Sequence, residues 1–357
     1  MTGQAVASGE RGWLDASIGS LYPGYFALVM ATGIVSNAFF FLERHELSTA
    51  LLIVNLIAYP VLIIATIARA VRHRAALRAD LVNPRLVFSF FTFVAASDVF
   101  GLQLILRGYV EPATVLWLTA LVAWIVLSYF SFSVLMFRNA GTGADVVHGG
   151  WLIAIVGTES LALLGARIAP HLGSLEDAAF VAVYVFWGHG IVLYGIFVTL
   201  FSYRVFFLPL KPSEANPLFW VIMGAAAISV NAGSTLIVTP TGLPFLTQMH
   251  AYVNGTTLLL WAWATWWIPL LVIVGIWRHV VRRDRLSYHP MYWSLVFPLG
   301  MYTLATYRFG LASDFAPLES IARVFIWVAF TAWVITMAAL LRGLFRGLSS
   351  RRAAAST

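Results

Sequence analysis

The chain has 357 residues, of which 61% are hydrophobic and only 10% are charged. Soluble domains contain roughly 25% charged residues, so this composition excludes a soluble globular protein. The chain has a net charge of +7. It contains no cysteine, and this absence excludes disulfides, thiolate metal sites and cysteine nucleophiles.

Long apolar runs follow one another along the chain, separated by short segments with Gly, Pro and Arg. A helix of about 20 apolar residues spans a bilayer, whereas the strands of a membrane barrel alternate apolar and polar residues. We therefore predict an all-α membrane protein with ten transmembrane helices. The predicted spans are 21–42, 47–70, 84–106, 112–137, 148–169, 176–207, 217–238, 250–277, 290–311 and 317–341. The predicted domains are a short N-terminal segment (1–20), the membrane domain (21–341) and a short basic tail (342–357).

The distribution of basic residues indicates which way the helices run. Seventeen of the 22 Lys and Arg residues lie at the starts of odd-numbered spans and the ends of even-numbered spans. Loops rich in Lys and Arg remain in the cytoplasm, so both termini are predicted to be cytoplasmic in the plasma (inner) membrane. This asymmetry accounts for most of the net charge. Outside the spans, aromatic and basic residues do not alternate as they do in proteins that bind single-stranded nucleic acid, so we expect no nucleic-acid partner. The five basic residues on the other side are Arg44, Arg107, Arg167, Arg308 and Arg323.

The odd-numbered spans begin in a similar way. Each has Pro or Gly at its start, usually followed by large aromatic residues, and positions 23, 84, 150, 217 and 290 are separated by 61, 66, 67 and 73 residues. This spacing indicates five helical hairpins in tandem, each presenting one helix to a shared axis around a pore. For any single helix the alternative is that Pro simply suits the first helical turn.

Several odd-numbered spans are interrupted at mid-span by glycine or proline. Such irregular backbone is tolerated at membrane depth where it is buried in protein or lines an aqueous cavity. Seven residues after the repeat origins lie Gly157, Gly224 and, in the ninth span, Phe297. Pro298 frees the carbonyl of Ser294, so Phe297 beside this kink is a candidate hydrophobic gate, with ordinary packing as the alternative. The candidate pore-lining residues are Met30, Gly33, Phe91, Gly157, Gly224 and Gly300.

Three ionisable residues, Asp98, Glu159 and His189, fall well inside predicted spans. A charge at this depth costs at least about 2.5 kcal/mol, so each residue needs a partner, a water-filled cavity or a neutral form. Glu159 is a candidate proton site for coupled uptake or a structural residue, and interhelical bonding is expected for Asp98. A structural hydrogen bond is expected for His189. Arg308 either joins an outer rim that attracts anions or extends to the lipid headgroups.

Three stretches carry a family resemblance: YFALVMATGIVS at 25–36, NPLFWVIMGAAAI at 216–228 and YWSLVFPLGMY at 292–302. They resemble the tellurite-resistance/C4-dicarboxylate transporter family, also called the voltage-dependent or slow anion channel family. The resemblance extends over essentially the whole membrane domain. That family includes plant guard-cell slow anion channels and fungal malate and sulfite transporters.

The resemblance implies five hairpins with quasi-fivefold symmetry around an anion pore, in a homotrimer whose protomers each have a pore. The family's gate is a phenylalanine in the ninth helix, which the Phe-Pro step places at Phe297 with Pro298. The expected function is transport of small inorganic anions or C4-dicarboxylates such as malate through a gated pore in the lipid bilayer. Proton-coupled transport of dicarboxylate or sulfite is the alternative.

A membrane enzyme or haem protein is the main alternative from another class. Haem and di-iron sites inside a bilayer need facing histidines, and only His189 is predicted to lie deep. His148, His250 and His289 lie at span ends, and no hydrolase or metalloprotease motif occurs. We therefore expect no catalytic residue, metal or cofactor, while the choice between channel and coupled carrier stays open.

Overall fold

The computed structural model describes residues 12, 14–138 and 146–354, with side chains up to residue 345. Across these residues the fold is helical throughout and contains no strand, which confirms the predicted all-α class. Nine helical segments of this part of the chain are long and apolar enough to cross a membrane. The predicted N-terminal segment lies largely outside the described residues.

Ten helices of 15 residues or more carry the fold. They are α1 (Ala27–Phe41), α2 (His45–Arg72), α3 (Phe91–Ile105), α4 (Val110–Arg138), α5 (Ile153–Ile168), α6 (Glu176–Phe207), α7 (Val221–Val238), α8 (His250–Ile276), α9 (Trp293–Ala312) and α10 (Ala316–Ala354). The helix α10 continues beyond the predicted span end at residue 341 into the predicted tail.

The helix α9 is the long helix absent from the nine apolar spans of the described chain. Its tyrosines and threonines, together with Pro298 and Arg308, make it less apolar than the other long helices. Most of its side chains are nevertheless buried. These polar groups therefore face protein rather than lipid, as expected at membrane depth.

Burial divides the helices into two groups. The apolar windows of α1, α3, α5 and α7 are 78–94% buried, whereas those of the even-numbered helices are 17–39% buried. The even-numbered helices expose many large apolar side chains, including Ile57, Val126 and Leu259. An outer apolar surface of this kind suits contact with lipid.

The contacts between helices follow the same division. Each odd-numbered helix packs against the next one, from α1 and α3 through α5 and α7 to α9, and α9 packs back against α1. Each odd-numbered helix also contacts the even-numbered helix that follows it in the chain. The odd-numbered helices therefore surround a common axis. The residues discussed below are described by their position along this axis.

Each odd-numbered helix is preceded by a 3₁₀ turn, and three of these turns are capped in the same way. His148 Nδ1 accepts from the Gly150 amide, Asn216 Oδ1 from the Leu218 amide and His289 Nδ1 from the Met291 amide, at 3.0–3.2 Å. Such caps satisfy amides that a helix start leaves unpaired. The 3₁₀ turns are Pro23–Phe26, Val87–Phe90, Gly149–Leu152, Pro217–Trp220 and Pro290–Tyr292.

Candidate functional site

Equivalent positions of the five odd-numbered helices hold small side chains with one exception. At the fifth residue of each odd-numbered α-helix, four of the five positions hold Ala or Gly and the ninth-helix position holds Phe297. Phe297 has 0% of its surface exposed. The five residues are Ala31, Ala95, Gly157, Ala225 and Phe297. A single aromatic ring at a level of small residues is suited to closing a narrow path.

Pro298 fixes the approach of α9 to α7. A Cβ added to Gly224 would lie 2.7 Å from Pro298 Cγ, so the proline ring occupies the space that a side chain at Gly224 would need. Pro298 also lacks the amide that would bond one turn earlier in α9. The residue before it, Phe297, is thus held on a helix that is locally weakened at the level of the small side chains.

The other predicted pore-lining glycines also lie at contacts between neighbouring helices. A Cβ at Gly33 would lie 2.7 Å from Val99 Cγ1, and one at Gly300 would lie 2.8 Å from Ile34 Cγ2. At Gly157 the nearest atom would be Cδ1 of Phe91, at 3.1 Å. These glycines allow the odd-numbered helices to pack closely, and their exposure to a path remains a prediction.

Two predicted pore-lining residues, Phe91 and Met30, do not lie at the same helix position as Phe297. Phe91 is the first residue of α3 and its ring stacks on Phe88 with centroids 5.9 Å apart. Met30 is the fourth residue of α1 and is 1% exposed. Counting from the start of each α-helix therefore aligns Phe297 with Ala31 and Ala95, which the count from Pro and Gly origins did not show.

Each of the two buried carboxylates bonds a serine on the next odd-numbered helix. Asp98 Oδ2 of α3 accepts from Ser160 Oγ of α5 at 2.7 Å, and Glu159 Oε1 of α5 accepts from Ser229 Oγ of α7 at 2.8 Å. The second oxygen of each carboxylate has no hydrogen-bond partner among the described residues. The two bonds connect three consecutive helices around the axis.

Glu159 lies against an outer helix as well. A Cβ added to Gly190 of α6 would overlap the Glu159 carboxylate, so Gly190 provides the room that this group occupies. The carboxylate therefore lies where α5, α6 and α7 meet. At this position it is surrounded by helices on several sides, and it is 0% exposed.

His189, the residue before Gly190, is on the exposed face of α6 rather than in the interior. Its ring packs edge-on against Trp124 of α4, with centroids 5.7 Å apart. No hydrogen bond of this histidine occurs within the described part of the chain. The sequence did not indicate this orientation because α6 is apolar on all sides.

The carboxyl ends of the odd-numbered helices lie at one end of the ring of helices, which we call the C-terminal mouth. Arg308 of α9 lies there, is 7% exposed, and donates from Nη2 to Thr235 Oγ1 at 3.2 Å. Its guanidinium lies 4.9 Å from the centre of the Phe41 ring. The side chain therefore stays within the protein and does not extend to the headgroups.

A cavity of about 430 Å³ lies at the opposite end, which we call the N-terminal mouth. Arg204 and Lys211 border it, and Arg204 forms an ion pair with Glu214 at 2.9 Å. The backbone amide of Lys211 and the Arg204 guanidinium hold the pKa of Glu214 below its usual value. The start of every odd-numbered helix contributes to the lining of this cavity, through residues that include Tyr22, Arg85, His148, Asn216 and Met291.

The serine partners of the two buried carboxylates were not predicted from the sequence. Ser160 and Ser229 lie about 62 and 70 residues from the carboxylates that they bond, and nothing in the local sequence links them. The capping residues His148, Asn216 and His289 had a visible signal, since Asn or His stands directly before Pro or Gly at each start.

Comparison with known proteins gives consistent results. A family model described as voltage-dependent anion channel matches residues 20–341. An uncharacterized transporter of Methanocaldococcus jannaschii is 24% identical over 345 residues, covering 94% of this chain and 98% of the relative. A sulfite efflux pump of Arthroderma otae is 22% identical over 354 residues, covering 90% of each chain. An uncharacterized membrane protein of Mycobacterium tuberculosis is 43% identical over 141 residues, covering 40% of this chain and 71% of the relative.

Proposed function

The chain belongs to the voltage-dependent anion channel family, and from this membership we propose that anions cross the membrane along the axis of the odd-numbered helices, with Phe297 as the gate. The family predicted from the sequence is confirmed, and anion transport is the function that this family performs. The observation that carries the proposed path is the single large side chain, Phe297, at a level of Ala and Gly.

The proposed architecture is ten transmembrane helices arranged as five hairpins with quasi-fivefold symmetry around a central pore. Two observations support it. Each odd-numbered helix contacts its two odd-numbered neighbours, and each contacts the even-numbered helix that follows it. All five odd-numbered helices also begin with a 3₁₀ turn that leads directly into the α-helix.

The proposed gate closes the path by excluding water and anions. An anion that passes an apolar constriction loses hydration, so a buried aromatic ring forms a barrier without any charge. When the ring moves aside, the remaining Ala and Gly residues at this level leave room for a path. Pro298 supports such a movement because α9 lacks one backbone hydrogen bond there.

The proposed substrates are small inorganic anions and C4-dicarboxylates such as malate. The basic residues at the N-terminal mouth, including Lys211, favour a raised local concentration of anions. The fungal relative named a sulfite efflux pump makes sulfite a further candidate. We also propose a homotrimer, which is the assembly that the family resemblance implies. The basic residues cluster on the side of the N-terminal mouth, so we propose a plasma-membrane location with both termini cytoplasmic.

Proton-coupled transport of dicarboxylate or sulfite is the second candidate function. It is favoured by Glu159 and Asp98, which are buried and each leave one carboxylate oxygen without a partner among the described residues. A carboxyl group in this setting can hold or release a proton as its surroundings change. The position of Glu159 against Gly190 fits a structural role equally well.

Reconstitution into planar bilayers, followed by reversal potentials in gradients of chloride, malate and protons, tests the function. A gated anion channel gives reversal potentials that follow the anion gradients and ignore the proton gradient. A shift with the proton gradient identifies the coupled carrier instead. A protein that is folded but shows neither anion current nor anion uptake contradicts both candidates.

A further inference from the structure

Two arginines at the C-terminal mouth have no carboxylate partner among the residues that the structure describes. Arg308 is 7% exposed and Arg167 is partly buried. In the part of the chain that the structure describes, neither guanidinium forms an ion pair with Asp or Glu within 4.0 Å.

Two close contacts with outer helices indicate which face of its helix each arginine occupies. A Cβ at Gly165 would meet Val183 of α6, and Arg167 lies two residues further along α5. A Cβ at Gly310 would meet Leu318 of α10, and Arg308 lies two residues earlier in α9. Two residues correspond to a turn of about 200° around a helix, so each arginine lies opposite the face that contacts an outer helix.

The residues around the two guanidinium groups lie at one depth. Arg167 is the fifteenth residue of α5 and Arg308 the sixteenth of α9, while Thr235 and Phe41 are the fifteenth residues of α7 and α1. The hydroxyl of Thr235 donates to the Asn231 carbonyl at 2.8 Å, so its oxygen is oriented to accept from Arg308. Arg308 is therefore held in place by neutral groups.

An arginine keeps its charge under all ordinary conditions, so burial cannot be relieved by loss of a proton. A hydroxyl oxygen and an aromatic face only partly replace the water that a buried guanidinium gives up. The contacts in the structure therefore leave the charge of these two groups incompletely compensated, and an anion bound between them would complete the compensation. The even-numbered helices offer no carboxylate to either group among the described residues.

We infer that Arg167 and Arg308 form a binding site for a divalent oxyanion at the C-terminal mouth, with Thr235 as a further contact. The inference rests on the proposed function, because the bound anion is the one in transit. Two planar guanidinium forks can each hold a pair of oxygens, so dicarboxylates and sulfite fit the site better than a spherical halide. The site gives the protein a preference among anions that an apolar gate cannot supply.

The inferred site is separate from the gate. Phe297 and Arg308 are eleven residues apart in α9, which corresponds to about 16 Å along the helix axis. Changes at the arginines should therefore alter which anion binds and leave gating at Phe297 unchanged. A role limited to compensating the negative end of the helix dipole would alter stability without altering anion preference.

The test uses Arg167→Gln and Arg308→Gln variants of the full chain in planar bilayers. The half-saturating concentrations of succinate, sulfite and chloride are measured with the anion added on either side. Each variant should raise the values for succinate and sulfite by about 10- to 100-fold, and the value for chloride by about fivefold or less. Arg44→Gln is the matched control, because Arg44 lies at the same mouth but is exposed.

A second measurement keeps the inference testable if a variant conducts poorly. Succinate should raise the melting temperature of the detergent-solubilised wild type, and this increase should shrink in both arginine variants and persist in the Arg44 control. Variants that bind succinate as the wild type does would overturn the site while leaving anion transport intact. Equal weakening of succinate, sulfite and chloride would overturn the selectivity for divalent oxyanions. Succinate binding that depends on both arginines, in a protein without anion current, would support the site and reject the proposed transport path.

Discussion

Replacing Phe297 with alanine removes the only large side chain at the fifth residue of the odd-numbered helices. The remaining residues at this level are then Ala or Gly in all five helices. We expect a higher anion conductance, because in the proposed mechanism the closed state loses the apolar ring that blocks the axis. The variant should be less sensitive to whatever opens the wild-type gate, since its path no longer depends on movement of that ring.

The expected size follows from the burial of the ring. Phe297 has no exposed surface, and exposing a fully buried phenylalanine side chain costs about 1.5–3 kcal/mol. If opening moves the ring into a hydrated path, the wild type pays this cost and the alanine variant does not. Each 1.4 kcal/mol is about a tenfold change in an equilibrium constant, so conductance should rise by about 10- to 150-fold.

Phe39→Ala is the matched control for this experiment. Phe39 is also 0% exposed and lies in α1, but its ring packs on Phe330 of the outer helix α10 with centroids 5.2 Å apart. Both variants lose a buried ring and should be destabilised by about 3–5 kcal/mol. Only Phe297→Ala should raise the current per protein molecule in planar bilayers. A folded Phe297→Ala protein with no more current than Phe39→Ala would refute the assignment of the gate.

Three further predictions concern the buried carboxylate, the packing of α7 on α9 and the loop before α7. Glu159→Gln should abolish the pH dependence of uptake in proteoliposomes if the protein is a proton-coupled carrier, and should leave anion currents unchanged if it is a channel. Gly224→Ala should lower the free energy of unfolding by about 1–3 kcal/mol, and with it the melting temperature, because its Cβ would lie 2.7 Å from Pro298 Cγ. The pKa of Glu214 is lower in the folded protein than in the unfolded chain, so its ionised carboxylate stabilises the fold above the unfolded pKa. This stabilisation is lost as the pH falls below about 4.5 and through the folded pKa. Glu214→Gln should therefore lose less stability than the wild type on acidification.

Each of these measurements has its own comparison. For the carboxylate, uptake that keeps its pH dependence in Glu159→Gln rejects proton coupling through this residue. Gly188→Ala serves as the packing control, because a Cβ at Gly188 meets no atom within 4 Å, and equal melting temperatures of the two glycine variants would contradict the close approach. Identical acid unfolding of Glu214→Gln and wild type would show that the ion pair with Arg204 contributes nothing measurable.

The class of the protein and most of its helices could be predicted from the sequence. Composition alone excludes a soluble fold, and a continuous apolar run of about 20 residues determines a spanning helix because the bilayer offers its backbone no other partners. The predicted span 176–207 coincides with α6 (Glu176–Phe207), and the family was correctly identified from three short stretches. These features depend on local sequence, which explains why they could be predicted.

The candidate site also has features that the local sequence predicts and features that it does not. The Phe-Pro step at Phe297 is local and visible in the sequence, as is the rarity of Asp98 and Glu159 at membrane depth. Their partners were not predictable, because Ser160 and Ser229 approach only when the odd-numbered helices pack side by side. The same packing turns His189 outward, where sequence analysis expected a buried residue.

The few charged residues show most clearly what only the tertiary structure decides. From the sequence, Arg167 and Arg308 are two of five basic residues on the side with few positive charges, and only Arg308 is a candidate for an outer anion rim. Their helices hold both at one depth, opposite the faces that contact outer helices and without an ion pair among the described residues, whereas Arg44 is exposed. Sequence determines how many charges a membrane protein carries and on which side. The direction that each one faces depends on packing between helices distant in the chain, because rotation about a helix axis is set by its neighbours.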